Sequence, residues 1–125
     1  MSFKSLLALP LLLAALQAAS EDDLTFTPNG STEYIVSDCD PSASGILDIP
    51  NTYNGKPVTS IGQYAFQGCS SLTNISIPNS VASIGTSAFQ SCSSLTSIAI
   101  PNGVSSVGDY VFYNCSGLTS ITIPS

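Results

Sequence analysis

A step of 23 residues brings the second half of the chain onto itself, and nothing else in the sequence limits the fold as tightly. Phe66, Phe89 and Phe112 fall in one column, Cys69, Cys92 and Cys115 in a second, and Leu72, Leu95 and Leu118 in a third. Ile75, Ile98 and Ile121 follow, then Ile77, Ile100 and Ile123, then Val58, Val81 and Val104, and then Ile61, Ile84 and Val107. Ala65, Ala88 and Val111 complete eight apolar columns, and Gly62, Gly85, Gly108 and Pro78, Pro101, Pro124 punctuate them. A chain built this way stacks like on like, because one unit has too little apolar surface to bury its own face.

Each unit has a local reading. In SLTSIAIP, Ile98 and Ile100 alternate with the period of a strand that buries one face, and Pro101, lacking an N–H, ends the ladder. Asn102-Gly103 turns the chain, Val104 and Val107 face inward from a second extended piece, and Gly108 allows a tight bend. Val111, Phe112 and Cys115 have the spacing of a helical face, which predicts a short helical turn with Asp109 as its cap.

The joint pattern L-x-x-I-x-I-P-x-x-V-x-x-I-G-x-x-A-F-x-x-C-x-x-L resembles the BspA-like leucine-rich repeats over about residues 46–125, with Val111 standing where the pattern has alanine. The resemblance implies surface proteins of bacteria and parasitic protists that adhere to host or neighbouring cells. It predicts an α/β-type solenoid: a short leucine-rich repeat array with stacked short strands, short helical turns on the opposite side and an N-terminal β cap. The expected repeats are about 50–77, 78–100 and 101–123. Three units are about the minimum for such a stack. NTYNGKPVTS lengthens the link between Pro50 and Ile61, as is common in the family where the repeats begin. Residues 21–49 are expected to cap that end, with LTFTPNGSTEYIVS forming a hairpin around Pro28-Asn29-Gly30. No C-terminal cap is evident, and a truncated fragment of a longer surface array is an alternative expectation.

Residues 1–20 read as a cleaved secretory signal: Lys4, an apolar run from Leu6 to Leu16, then Ala18-Ala19-Ser20. The run is shorter than the roughly 20 residues a membrane span needs. Removing Lys4 takes the net charge from −6 to −7 and leaves Lys56 as the only basic residue. So acidic a chain does not neutralise phosphates, which argues against nucleic acid and anionic membranes as partners. After signal removal no membrane insertion is expected.

The cysteine column reads as reduced, buried thiols, because equivalent side chains in stacked coils point the same way and three cannot all pair. A disulfide within the column is not excluded by distance. Cys39 lies outside the period and is the better candidate for a redox or partner thiol. The chain has no histidine, and its carboxylates are scattered, so no catalytic, cofactor or metal set can be named. Asp38-Cys39-Asp40 reads as an Asp-rich turn before it reads as a weak calcium site.

Function is then expected to be binding. Asn74, Ser76, Ser97, Ala99, Ser120 and Thr122 are the outward strand positions and form the candidate face, flanked by Thr73, Thr96 and Thr119. Its expected ligand is an extracellular protein or glycan. The alternative is a structural role, self-association through Phe112, Leu118, Ile121 and Ile123 of the last coil. Asn29, Asn74 and Asn114 fit the N-glycosylation pattern, with Asn29 in the expected turn the accessible one.

Overall fold

The structure is a computed structural model and describes residues 19–124. The expected signal segment lies outside the described residues up to residue 18. Its last two members are inside them: Ala19 donates its N–H to the Ser44 carbonyl at 2.8 Å, and Ser20 caps a 3-10 turn over Glu21–Asp23 through reciprocal bonds with Asp23.

Two strands follow, β1 (Leu24–Asn29) and β2 (Glu33–Cys39), paired antiparallel. Pro28 sits within β1 opposite Tyr34, on a sheet edge where a missing N–H costs no ladder bond. The turn therefore falls just after Asn29, beginning at Gly30 with φ +71°. The rest of the chain supplies β3 (Ser44–Asp48), β4 (Thr52–Tyr53), β5 (Lys56–Ile61), β6 (Ser71–Ser76), β7 (Ser83–Ile84), β8 (Ser97–Ala99), β9 (Ser106–Val107) and β10 (Ser120–Thr122).

These strands wind a β-solenoid of about 4 turns with two ladders. One sheet runs β1-β2-β5-β7-β9, parallel from β2 onward, with Ser60 beside Ser83 and Ser83 beside Ser106. The other is parallel throughout, β3-β6-β8-β10, with Leu47, Ile75, Ile98 and Ile121 in one row. Ser44–Asp48, assigned from the sequence to the cap, is thus a solenoid strand lying beside the first repeat. The long link holds a hairpin of its own: β4 and β5 pair antiparallel around Asn54 (φ 52°) and Gly55 (φ +76°), the two left-handed residues a tight twisted hairpin requires.

The helical turns expected opposite the strands are absent. Among the described residues the 3-10 turn at Glu21–Asp23 is the sole helical segment, and it lies outside the repeats. Residues 62–69, 85–92 and 108–115 fold instead as consecutive tight turns. The reason lies in where their N–H groups go. Ala65, Gln67 and Cys69 donate locally, three residues back, whereas Tyr64, Phe66 and Gly68 donate to Thr86, Ala88 and Gln90 of the next coil at 2.7–3.0 Å. Ser87, Phe89 and Ser91 repeat this toward Asp109, Val111 and Tyr113. A helix would turn every N–H along its own axis, so this third ladder replaces it. The alternation requires left-handed backbone at the 64, 87, 110 column and at the 68, 91, 114 column, and all six residues adopt it. Asp109 accordingly has no helix to cap; its carbonyl accepts from Ser87 N–H at 2.8 Å.

The interior is a single apolar core. Phe66 and Phe89 are wholly buried and stack with ring centroids 5.1 Å apart, and Phe89 stacks on Phe112 at 5.8 Å, 7° from parallel. Leu24, Val36, Cys39, Ala43, Leu47 and Ile49 close the N-terminal end. Beside them Tyr53 stacks on Phe26 at 4.0 Å and meets the edge of Tyr34. Cover thins at the other end: Phe112 and Leu118 are half-buried, Ile121 is 39% exposed and Ile123 70%.

Candidate functional site

The parallel sheet β3-β6-β8-β10 carries the candidate face, and its register decides which side chains are neighbours. Asn74 pairs with Ser97 and Ser97 with Ser120; Ser76 pairs with Ala99 and Ala99 with Thr122. The sheet therefore gathers all six expected residues into two rows of three. Ser97 is half-buried and the other five are exposed. The rows run one strand further than expected, because Ile46 lies beside Asn74 and Asp48 beside Ser76. Ile46 is 60% exposed, the largest apolar group on this surface, and Asp48 is its single charge. Both were legible in ILDIP, which matches the I-S-I-P of β6, but their offset is 28 residues rather than 23 because of the long link.

Two of the three flanking threonine hydroxyls are already committed to the fold. Thr96 Oγ1 donates to the Thr73 carbonyl at 3.2 Å, and Thr119 Oγ1 donates to the Thr96 carbonyl at 3.1 Å. The hydroxyls that remain for a ligand are those of Thr73, Ser76, Ser97, Ser120 and Thr122, with the Asn74 amide. Such a surface donates and accepts hydrogen bonds on a flat support. It lacks the Trp, Tyr and Arg anchors that concentrate binding energy at protein interfaces.

The other candidate groups have structural partners. Asp40 accepts from the Ser42 N–H at 2.9 Å and the Ser42 hydroxyl at 2.8 Å, bonds that hold its carboxyl below the usual range. Asp38 accepts from the Cys39 N–H at 2.9 Å. The Asp38-Cys39-Asp40 stretch thus spends these acceptors on its own backbone, as an Asp-rich turn does. Among the described residues no cluster of three or more His, Cys, Asp or Glu side chains is placed to hold a metal ion, and no helix is long and apolar enough to cross a membrane. Asn29 is exposed beside the β1–β2 turn, and its amide donates to Glu33 at 3.2 Å. Asn74 and Asn114 are exposed as well, so accessibility does not single out Asn29.

The thiols form one ladder of four. Cys39, outside the period in sequence, is buried beneath Cys69, which is followed by Cys92 and the half-buried Cys115. All four are free. Burial pushes the Cys92 thiol up to about 12 and raises Cys115 as well.

A family model described as the BspA type leucine rich repeat region matches residues 46–125 in six copies. Among solved structures, a leucine-rich repeat protein from Bacteroides capillosus is 24% identical, with a TM-score of 0.58 over 82% of this chain and 95% of that one. A leucine-rich repeat protein of T. pallidum is 18% identical, at a TM-score of 0.48 over 84% of this chain and 71% of that one. A leucine rich cell surface protein from Faecalibacterium prausnitzii is 23% identical, at a TM-score of 0.49 over 86% of this chain and 43% of that one. No curated protein matches.

Proposed function

This chain belongs to the BspA-type leucine-rich repeat family, and from that premise we propose that it is a secreted or cell-surface module that binds an extracellular protein or glycan. The observation that carries the reading is the register of the parallel sheet, which sets six small, mostly exposed side chains in two continuous rows. Leader-like residues 1–20 support export, and the scarcity of basic groups favours a neutral or polar ligand over an anionic polymer. The hydroxyl rows suit a ligand that is itself rich in hydrogen-bonding groups, and adhesion to a host or neighbouring cell is the role this chemistry serves. The test is a binding panel of extracellular proteins and glycans probed with the wild type and with Ser97→Arg and Ser120→Arg. Loss of binding with an unchanged circular dichroism spectrum supports the face; undiminished binding moves the site elsewhere.

A second reading rests on the last coil. β9 and β10 have no further strand beside them among the described residues, and Val107, Ile121 and Ile123 are exposed there. Through that edge two copies of the chain would pair and continue the stack. Sedimentation velocity across a concentration series distinguishes the readings, since a monomer at every concentration removes the second.

A further inference from the structure

The four-cysteine ladder is not uniform, and its lowest rung differs in kind. Cys92 Sγ donates to the Phe66 carbonyl at 3.1 Å, and Cys115 Sγ donates to the Phe89 carbonyl at 3.0 Å, each reaching one coil below. The long link lengthens the offset to the first coil, so the same step takes Cys69 to the Asp38–Asp40 stretch, where the contact is looser. There the Cys69 sulfur lies 3.9 Å from the carbonyl oxygens of both Cys39 and Asp40, and the Cys39 sulfur lies 3.7 Å from the same Asp40 oxygen. Two buried thiols converge on one carbonyl, and neither is held by a short bond.

Direction separates this pair from the others. Cys69, Cys92 and Cys115 leave equivalent turns and point the same way, so none faces its neighbour. Cys39 comes from the end of β2, a different piece of backbone, and its sulfur shares the Asp40 carbonyl with that of Cys69. The interaction between the two thiols favours the Cys69 thiolate and disfavours that of Cys39.

We propose that Cys39 and Cys69 are a disulfide-forming pair that ties the β1–β2 hairpin to the first coil in an oxidising compartment, while Cys92 and Cys115 remain thiols. The oxidant is a small-molecule disulfide such as oxidised glutathione. The Cys69 thiolate attacks one of its sulfurs and expels the other half as a thiolate. The Cys39 thiolate then attacks the Cys69 sulfur of the mixed disulfide and expels the second half. The two cysteine protons go to the two departing thiolates, so two protein thiols are oxidised and one external disulfide is reduced. Cys69 is wholly buried and Cys39 is 3% exposed, so exchange takes place with the hairpin undocked, during folding or local opening. Once docked, the bond is shielded from reductant.

The experiment equilibrates the full chain in glutathione buffers from reducing to oxidising, quenches with acid, unfolds, alkylates and maps the peptides. The expected result is a linked peptide pair containing Cys39 and Cys69, with Cys92 and Cys115 alkylated, and a rise in the urea midpoint that dithiothreitol reverses. Four alkylated cysteines under oxidising buffer would overturn the proposal, as would a linkage through Cys92 or Cys115. Cys92→Ala with Cys115→Ala should oxidise to the same extent as wild type. Cys39→Ser should leave Cys69 alkylated; should that variant fail to fold, the wild-type map still decides.

Discussion

At Gly85 an added Cβ would sit 2.7 Å from the backbone nitrogen of Gln63, and at Gly108 it would sit 2.5 Å from that of Thr86. The glycine column is therefore a place where successive coils touch backbone to backbone, and the bend expected of Gly108 is not its main reason. Gly85→Ala should cost about 1–3 kcal/mol through forced separation of two coils. Gly30→Ala meets nothing within 4 Å and should cost about 1 kcal/mol, through its left-handed backbone alone. Urea midpoints of the two variants make the comparison. Cys92 gives the pH dependence at this scale. Its folded pKa is raised from 9.0 to about 12, so the native state holds a proton that the unfolded chain gives up first. The sign follows: this stabilisation is complete below pH 9.0, falls as pH rises, and is gone above about 12. Denaturation midpoints should drop across that window, and Cys92→Ala should flatten the drop.

The element that most separates sequence from structure is the turn segment. Val111, Phe112 and Cys115 have helical spacing, yet their segment is a run of turns whose alternate N–H groups bond between coils. Periodicity reports which side chains face inward, and both conformations turn the same residues to the core. What it does not report is the destination of each N–H, which depends on a coil 23 residues away. Hydrogen exchange checks this account. The amides of Phe66, Ser87 and Phe89 donate to a following coil and should exchange slowly, at rates set by sub-global opening. Those of Tyr110, Phe112 and Asn114 have no following coil among the described residues and should exchange fast. Equal protection of the two sets would indicate a continuing coil or a bound partner at that end.

Across the whole molecule, stability is the sum of what each coil contributes and what each pair of neighbours shares. Phe89 lies between two rings and is wholly buried, whereas Phe112 stacks on one side only. Phe89→Ala should therefore cost about 3–5 kcal/mol, and Phe112→Ala clearly less. If copies pair through the last coil, the Phe112→Ala deficit should grow with protein concentration, because association adds the missing neighbour. Thermal melts at low and high concentration measure both effects. The aromatic group of Phe26, Tyr34 and Tyr53 supplies the corresponding cover at the N-terminal end.

The sequence by itself determined the stacking: a fixed step with like residues in register leaves no other way to remove eight apolar columns from water, and Phe66 over Phe89 over Phe112 follows from counting. It also determined the rows of the candidate face, since alternate strand residues point outward and equal repeat lengths keep them aligned. Asn54-Gly55 carried a hairpin signal that the strength of the repeat pattern overshadowed. The tertiary structure alone decided that Cys39 enters the thiol ladder and that Ser44–Asp48 joins the parallel sheet, because both follow from how non-repeating segments dock on the first coil. It alone decided that the backs of the coils are turns rather than helices. Each of these depends on where a hydrogen bond or a sulfur finds its partner in a distant segment, and residue spacing within one unit carries no record of that.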